Sequence, residues 1–394
     1  MGGGGTSLAP TAAILSLLTV SWGGGRSLPT HTPFHSPHHY PLLPTIFMKK
    51  IHSIILLILI LTPSCGRLYA QDGSEEKTSL RPKLKFEARL DYNHDSANDD
   101  MSGIKGYIVD LKLEGDLSPR FSYKYRQRLN KPVKDASFFD ATDWLYLTYK
   151  AHRNISLMAG KWIVAVGGWE TEPAPIDIYQ ISEFCNNYSC YQWGMNVIFN
   201  TADNQNQFYL QVCESPFRKH YKATTGNGKE MWAYNALWVG NIDFYHAFHS
   251  VNMMEYRPGK YLNFIALGNR FDLGRKVALD FDIQHRASRA SDFFKDYTLS
   301  AQVAYRPLQA FRCFAKVSHD RNHTGNVSDV TVFDGTKMTR LGGGVEFFPL
   351  KNDNLRLHGH YSYAWGQNAN PDGVLRDGQS VVNVGLTWRM HILK

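Results

Sequence analysis

The sequence predicts an all-β protein, a transmembrane antiparallel β-barrel of about sixteen strands with a long third loop that folds inward. The first observation is a period-two alternation of apolar and polar residues over segments of about ten residues, which is typical of strands that face lipid on one side. Second, the connections between these segments are short after even strands and mostly longer after odd strands. Third, no apolar run of roughly 18 residues or more follows Ala70, so no transmembrane helix is predicted there.

The first 70 residues have the composition of segments that precede a folded domain. Residues 1–47 are rich in Gly, Pro and His and contain no Asp or Glu, so we interpret them as a non-native upstream extension; a genuine N-terminal extension is the alternative. Residues 48–70 have the pattern of a secretory signal peptide, with lysines after Met48, an apolar core and Ala70 at the cleavage point. Cys65 offers the alternative of a lipoprotein, but the residues before it fit that pattern poorly. The predicted barrel domain is residues 71–394.

The predicted barrel domain is mildly basic. All 35 Asp and Glu residues follow the cleavage point, as do all but four of the 43 Lys and Arg residues, so the net charge is +4; the four are Arg26, Lys49, Lys50 and Arg67. This surplus is too small for a nucleic-acid binder, so we expect no nucleic-acid partner. An exported chain meets an oxidising compartment, where Cys185 and Cys190 fit either a disulfide or two free thiols.

The alternation assigns each strand side chain to the inside or the outside of the barrel. A Lys or Arg at mid-bilayer on the lipid face costs roughly 2–4 kcal/mol, so the charged faces must point into the lumen. We therefore predict nine pore-lining, anion-binding cations: Lys85, Arg89, Lys124, Arg126, Arg128, Arg312, Lys316, Arg356 and Arg389. Aromatic residues at outward positions near strand ends predict a girdle at the membrane interface: Tyr92, Tyr107, Phe121, Tyr149, Tyr363 and Trp388.

The longest connection joins the fifth and sixth strands and is predicted to narrow the barrel. One apolar run ends at Val166, the next begins at Tyr191, and more than twenty residues lie between them. Loops this long inside a compact domain are uncommon and usually functional. We predict that residues 167–189 form a constriction loop, with these site residues: Trp169, Glu170, Glu172 and Asp177.

The strand number predicts a water-filled interior. Eight strands fill their barrel with side chains, whereas sixteen leave an aqueous channel, so the default function is passive diffusion of small hydrophilic solutes. Lys124, Arg126 and Arg128 form a basic column at two-residue spacing that suits anions, because the guanidinium fork matches phosphate or carboxylate oxygens. The alternative is that these cations pair with the acidic residues of the first two strands.

Three segments carry a resemblance to a known family: Gly160–Glu170, Val345–Leu357 and Val384–Arg389. Together with the Leu-Tyr-Ala-Gln ending of the signal peptide, they resemble the phosphate-selective porin O and P family in its Bacteroidetes-type form. The resemblance implies a sixteen-stranded, homotrimeric porin in the outer membrane of a Gram-negative bacterium, with an inward third loop and small anions such as phosphate as solutes. Phosphate-selective members use a ladder of lumen arginines, which the basic column matches in chemistry. The chain departs from the family's aromatic last residue, because it runs on to His391–Lys394.

Two other classes of barrel stay open. Outer-membrane enzymes of the protease or lipase type would use polar residues at strand rims, where this sequence has His94–Asp95 and Ser318–Asp320. Adjacent strand residues point to opposite faces, so neither run is a working dyad and we predict no enzyme. His358 and His360 share a face without a local carboxylate, so we predict no metal and no cofactor. The third class is a structural or adhesion barrel plugged by its long loop. The expected partners are outer-membrane lipid and small anionic solutes.

Overall fold

The computed structural model describes residues 82–131, 138–371 and 378–393. The predicted upstream extension and signal peptide, residues 1–47 and 48–70, lie outside the described residues and stay predictions. Within the described ranges, antiparallel strands form one closed sheet in which each strand hydrogen-bonds to its neighbours in sequence and β1 pairs with β16. The predicted fold class, a sixteen-stranded antiparallel barrel, is confirmed.

The strands are 8 to 16 residues long, which suits a tilted crossing of a bilayer. They are β1 Lys83–Asp95, β2 Gly103–Ser118, β3 Phe121–Arg128, β4 Thr142–His152, β5 Ile155–Ile163, β6 Tyr191–Asn200, β7 Asn206–Glu214, β8 Trp232–Ile242, β9 Tyr245–Arg257, β10 Lys260–Leu273, β11 Val277–Ala287, β12 Asp296–Leu308, β13 Phe311–Asn322, β14 Lys337–Phe347, β15 Leu355–Gln367 and β16 Gln379–Leu393. Within the described ranges, two α-helices lie in connections: α1 Glu183–Asn187 and α2 Arg218–Thr225. No helix among the described residues is long and apolar enough to span a membrane.

The connections follow the predicted alternation, with one exception. Those after even strands are short, such as residues 153–154 and 243–244, and together they define the short-turn end of the barrel. Those after odd strands reach 164–190 and 323–336, and they define the long-loop end. The exception is the turn at residues 258–259, which follows β9. Short periplasmic turns and long outer loops are typical of outer-membrane barrels.

The two faces of the wall differ in polarity as the alternation predicts. The outward side chains of Leu210 and Val251 are 63% and 60% exposed, as expected of residues that meet lipid. Their strand neighbours Gln211, Ser250 and Asn252 point inward and are buried. Apolar side chains exposed on the outside and polar side chains buried on the inside reverse the arrangement of a water-soluble barrel.

The outward position predicted for Tyr107 is wrong. A β-bulge interrupts the pairing of β1 with β2, because Arg89 lies opposite Ile108 while the next residue, Leu90, lies opposite Gly106. Tyr107 is the extra residue, and its ring lies 4.4 Å from the guanidinium carbon of Arg89 inside the barrel. A bulge breaks the period of two locally, so alternation alone assigns this side chain to the wrong face.

The fifth strand ends at Ile163, earlier than the apolar run to Val166 predicts. Val164 and Val166 leave the sheet and join an apolar core inside the lumen. This core lies against β7 to β10, and its members include Phe184, Tyr188, Cys213, Phe217, Met254, Leu262, Phe264 and Val332. One side of the bore is therefore filled by packed side chains, and the space for solutes lies toward the rest of the wall.

Candidate functional site: the loop-lined lumen

The inward loop, residues 164–190, leaves the wall after β5 and crosses the lumen before it returns to β6. One of its contacts with the wall is Asp282 on β11, whose carboxylate oxygens accept hydrogen bonds from the backbone N–H groups of Trp169 (2.9 Å) and Glu170 (2.8 Å). These N–H groups begin a short 3-10 turn and have no partner within it. Asp282 is 3% exposed, so the contact satisfies a buried carboxylate and two backbone donors together.

Glycines allow the loop to lie directly on the wall. Gly168 has a φ of +113°, a conformation that L side chains rarely adopt. On β10, a Cβ added at Gly268 would lie 2.7 Å from the Cα of Gly168 and 2.9 Å from its nitrogen. Since both are backbone atoms, no side-chain rotation could relieve the contact. The wall and the loop approach so closely because both positions lack a side chain.

We expect Gly268→Ala to destabilise the folded barrel by about 1–3 kcal/mol, because the added methyl forces the loop backbone away from the wall. The matched control is Gly359→Ala on β15, where the added Cβ would meet only a Val345 methyl at 4.0 Å. Urea unfolding, followed by the mobility shift of the folded barrel on gels, measures both variants. Equal stability of the two would contradict the close packing of loop on wall.

Glu170 joins the two ends of the inward loop to β13. Its carboxylate pairs with the Lys316 ammonium (Oε1–Nζ, 2.6 Å) and accepts hydrogen bonds from Ser182 N–H (2.8 Å) and Ser182 Oγ (2.6 Å). The Cys185 thiol also donates to it, at 3.1 Å. Burial raises the pKa of Glu170, but the ammonium and these hydrogen bonds outweigh burial and lower the pKa below its usual value. Glu170 is therefore an ionised anchor at neutral pH.

Arginines satisfy the loop backbone in the middle of its path. Arg89 Nη1 donates to the carbonyl of Ile178 at 2.6 Å and to that of residue 176 at 3.3 Å. Arg356 Nη2 donates to the same carbonyl of residue 176 at 3.1 Å, and Arg340 Nη1 donates to that of Ile181 at 2.9 Å. A loop inside a barrel has no neighbouring strand, so its buried carbonyls need side-chain donors. Arginine supplies several such donors in one rigid fork.

Two further side chains fix the same stretch. Asp177 pairs with Arg356 (Nη1–Oδ1, 2.7 Å) and with Arg389. Burial raises the pKa of Asp177, but the two guanidinium groups outweigh burial and lower it below its usual value. Tyr179 stacks on Phe314 at 5.5 Å between ring centroids and donates its hydroxyl to Glu346 at 2.8 Å.

The nine predicted cations all lie on lumen faces, but they differ in what they bind and in how far they are exposed. Four bind or pair with the inward loop and are nearly buried: Arg89, Lys316, Arg356 and Arg389. Arg126 is also buried, at 0% side-chain exposure, against the wall. The side chains that stay partly exposed to the lumen are Lys85, Lys124, Arg128 and Arg312. The loop anchors hold protein oxygens, so they do not offer a free face to a solute.

The basic column is paired with carboxylates. Arg126 binds Asp143 on β4 at 2.8 Å and lies over the Trp144 ring at 4.0 Å. Arg128 contacts Asp143 at 3.1 Å, and it also approaches Asp110 on β2 at 4.0 Å. Lys124 lies opposite Glu114 on β2, with 3.6 Å between their charged atoms. The geometry therefore matches the alternative in which these cations pair with carboxylates. One of the acids, Asp143, lies on β4 and not on the first two strands.

The predicted constriction residues occupy different positions in the inward loop. Trp169 is buried beneath the Arg270 guanidinium, at 4.0 Å, and Glu170 is the anchor described above. Glu172 is exposed to the lumen, and the Asp177 side chain is 32% exposed. Only the last two carboxylates can meet a passing solute, although both lie on the loop as predicted. Cys185 and Cys190 are free thiols, so the disulfide alternative is not adopted.

Two cavities among the described residues lie against the inward loop, and another lies at the short-turn end of the bore. The outer cavity, of about 1,060 Å³, lies at the long-loop end and includes Arg128, Pro175 and Tyr191 in its lining. A mouth cavity of about 530 Å³ lies at the short-turn end beside Lys85 and Lys124. A small cavity of about 100 Å³ separates the loop from β11 to β13, beside Arg312. The loop thus divides the bore into spaces open toward either end.

Sequence reasoning missed one loop anchor. The apolar pattern predicts a strand only from Leu341 onward, whereas β14 begins at Lys337, so Arg340 falls outside the prediction. Its inward register could have been found by extending the alternation backward from Gly342, which faces the lumen opposite Lys316. No sequence signal, in contrast, tells which lumen arginines meet a loop carbonyl.

The residues considered for catalysis or metal binding have structural partners. Ser318 and Asp320 point inward, where Asp320 accepts the Glu183 N–H at 2.9 Å. His319 points outward and bonds Thr339 Oγ1 at 2.8 Å, so the run does not form a dyad. His358 Nε2 lies 3.0 Å from a carboxylate oxygen of Asp91. Among the described residues, no three His, Cys, Asp or Glu side chains form a group that could hold a metal ion.

Part of the chain matches a known family. Residues 77–239, which include the basic column and the whole inward loop, match the model of the family described as phosphate-selective porin O and P. Over these residues the chain is similar to the porin O and P family. It is accordingly an outer-membrane porin of a Gram-negative bacterium. A search of curated proteins finds no match.

Solved outer-membrane proteins share the architecture at low sequence identity. The outer membrane channel DcaP of Acinetobacter baumannii superposes with a TM-score of 0.56 at 10% identity, covering 78% of this chain and 97% of that chain. OmpT, an outer membrane protein of Vibrio cholerae, gives 0.54 at 10% identity with the same coverage. An anion-selective porin from Comamonas acidovorans gives 0.54 at 9% identity, covering 78% and 99%. At such identities the likeness establishes the fold alone.

Proposed function

We propose that this porin allows passive diffusion of small anionic solutes, phosphate among them, and that the inward loop is its constriction. The observation that carries the proposal is a surplus of positive charge at both ends of the bore. The outer cavity has six cationic side chains and four carboxylates in its lining; the cations are Arg128, Lys131, Lys161, Arg218, Lys219 and Lys222. The mouth cavity at the short-turn end is lined by four lysines and one glutamate, Glu114.

Several of the outer cations keep their charge available. Lys131 and Lys161 donate to the backbone carbonyls of Asp140 (2.7 Å) and Phe139 (2.6 Å), which do not neutralise an ammonium. Lys222 forms no ion pair with any carboxylate of the described ranges. A passage lined by one sign of charge, with low-dielectric walls, concentrates counter-ions and so favours anions over cations.

The solute and the assembly rest on comparison. The family is described as phosphate-selective, and the Comamonas acidovorans porin as anion-selective, which makes inorganic phosphate the first solute to test. A trimer form of the Vibrio cholerae OmpT has been solved and superposes with a TM-score of 0.52, which supports a homotrimer as part of this proposal. Catalysis is not part of the proposal, because passive diffusion needs no residue beyond the charged lining and the loop.

We expect Lys131→Gln/Lys222→Gln to lower the anion-over-cation permeability ratio by about twofold or more, because it removes two cations that form no ion pair with a carboxylate of the described residues. The measurement is the reversal potential of purified protein in a planar bilayer under a salt gradient. This pair isolates the effect better than the basic column, where Arg126 is buried and paired. The matched control is Arg275→Gln/Lys276→Gln, which removes the same net charge from the exposed turn after β10.

Inorganic phosphate supplies the second arm of the experiment. If phosphate enters the same passage as chloride, added phosphate will reduce the chloride current of the wild type more than that of the double variant. An unchanged reversal potential in the double variant would contradict the role of the outer cations. Absence of conductance in protein that is folded by its gel mobility would overturn the channel itself and favour the plugged barrel.

A further inference from the structure

Two cations lie directly opposite each other on the lipid-facing surface, near the long-loop end of β13 and β14. Arg321 on β13 is in register with Lys337 on β14. Their strand neighbours Asp320 and Met338 point into the barrel and are buried, at 1% exposure each. Because strand side chains alternate, Arg321 and Lys337 point outward.

This arrangement leaves positive charge without compensation. Like charges directly opposite on adjacent strands repel each other and destabilise the pair. Within the described ranges, neither side chain forms an ion pair with a carboxylate, and Arg321 Nε is buried with no hydrogen-bond partner. An arginine fork beside a lysine ammonium is a suitable site for a phosphate group, which accepts charge-assisted hydrogen bonds from both.

The surface below the cations changes polarity in steps toward the middle of the membrane. The next outward level holds His319, Thr339 and Trp365, in register across three strands. The level after that holds Val317, Leu341 and Tyr363, whose side chains are 37%, 52% and 41% exposed. Successive outward levels lie about 7 Å apart along a strand. Cations, then amphipathic rings, then apolar side chains follow the order of a lipid from phosphate to acyl chain.

We propose that this surface, defined by Arg321, Lys337, Trp365 and Leu341, binds a phosphorylated lipid of the leaflet at the long-loop end. The phosphate would lie between the guanidinium and the ammonium, and the acyl chains would cover the apolar level below. The exposed apolar level favours a lipid over free phosphate, because a free ion has no acyl chains to cover these apolar side chains. Phe294, which is 77% exposed at the end of the preceding loop, extends the amphipathic rim toward β12.

Native mass spectrometry of the full protein in neutral detergent tests the proposal. The probe is dioleoyl phosphatidic acid, and dioleoyl phosphatidylcholine is the zwitterionic comparison. We expect one tightly held phosphatidic acid per protomer, and about 25-fold weaker retention in Arg321→Gln/Lys337→Gln, because each cation contributes about fivefold to binding of an anionic lipid. Arg321→Lys/Lys337→Arg keeps both charges and should retain the lipid.

The control Arg275→Gln/Lys276→Gln removes an equal charge at the short-turn end and should retain the lipid as the wild type does. Equal retention of phosphatidic acid by the glutamine variant and the wild type would overturn the proposal. Displacement of the lipid by millimolar inorganic phosphate would overturn the assignment to a lipid. Conversion of trimers to monomers by the glutamine variant, measured by light scattering without added lipid, would assign the surface to a second copy instead.

Discussion

Arg286→Gln is expected to lower the free energy of unfolding by about 3–5 kcal/mol, because it leaves two buried carboxylates without a cation. Arg286 has no exposed side-chain surface, and it binds Asp296 at 2.8 Å and Asp329 at 2.6 Å. It also donates to Thr298 Oγ1 at 3.0 Å and lies over the Phe184 ring of the inward loop. Urea unfolding in lipid vesicles, followed by gel mobility, measures the loss.

Two further variants distinguish the effect of breaking a buried ion pair from the effect of removing any charge. Lys124→Gln breaks an ion pair whose side chains are 49% and 46% exposed, so its effect should stay below about 1 kcal/mol. Arg286→Gln/Asp296→Asn/Asp329→Asn removes the stranded carboxylates and should recover part of the stability. If Arg286→Gln were as stable as Lys124→Gln, water would have to reach the carboxylates of Asp296 and Asp329.

Arg89→Gln/Arg356→Gln is expected to release the middle of the inward loop and to raise the single-channel conductance about twofold or more. The change removes the charged donors to the carbonyls of residues 176 and 178, which weakens loop attachment by at least about 3 kcal/mol. The carboxylates left behind keep partners: Asp91 retains Asn383, and Glu346 retains Arg312. The barrel wall should therefore survive while the loop loosens.

The matched control is Arg128→Gln/Arg312→Gln, which also removes two lumen arginines. Neither of these donates a hydrogen bond to the inward loop; they pair with wall carboxylates, Asp143 and Glu346. The control should change ion selectivity with little change in step size. If both double variants gave the same conductance, the loop would not be the constriction.

The architecture could be predicted from the sequence because it depends on local rules. In a run such as Lys85, Phe86 and Glu87, alternation assigns each side chain to the face opposite that of its neighbour. Loop length distinguishes one end of the barrel from the other. The same alternation assigns all nine cations to the lumen face, where the structure places them. It failed at Tyr107, because a bulge shifts the register by one residue and leaves no mark in the composition.

The site could not be predicted to the same depth, because its partners are distant in sequence. Arg89 donates to a carbonyl 89 residues away, and Arg356 to one 180 residues away. A lumen arginine that binds solute and one that binds a loop carbonyl have the same local pattern. The apolar core is similar: Leu262 and Phe264 point inward because Phe184 of the loop covers them, which reverses the polar-inside rule there.

The contacts of Arg89, Arg356 and Arg389 with residues 176–178 have a consequence for closure of the barrel. Arg89 is on the first strand, Arg389 is on the last, and these two strands form the seam where the sheet closes on itself. A single short segment of the loop is thus tied to both edges of the seam. Closure of the barrel and docking of the loop must therefore stabilise each other. The pairing of β1 with β16 is stabilised by the contacts of the loop as well as by the hydrogen bonds between the two strands.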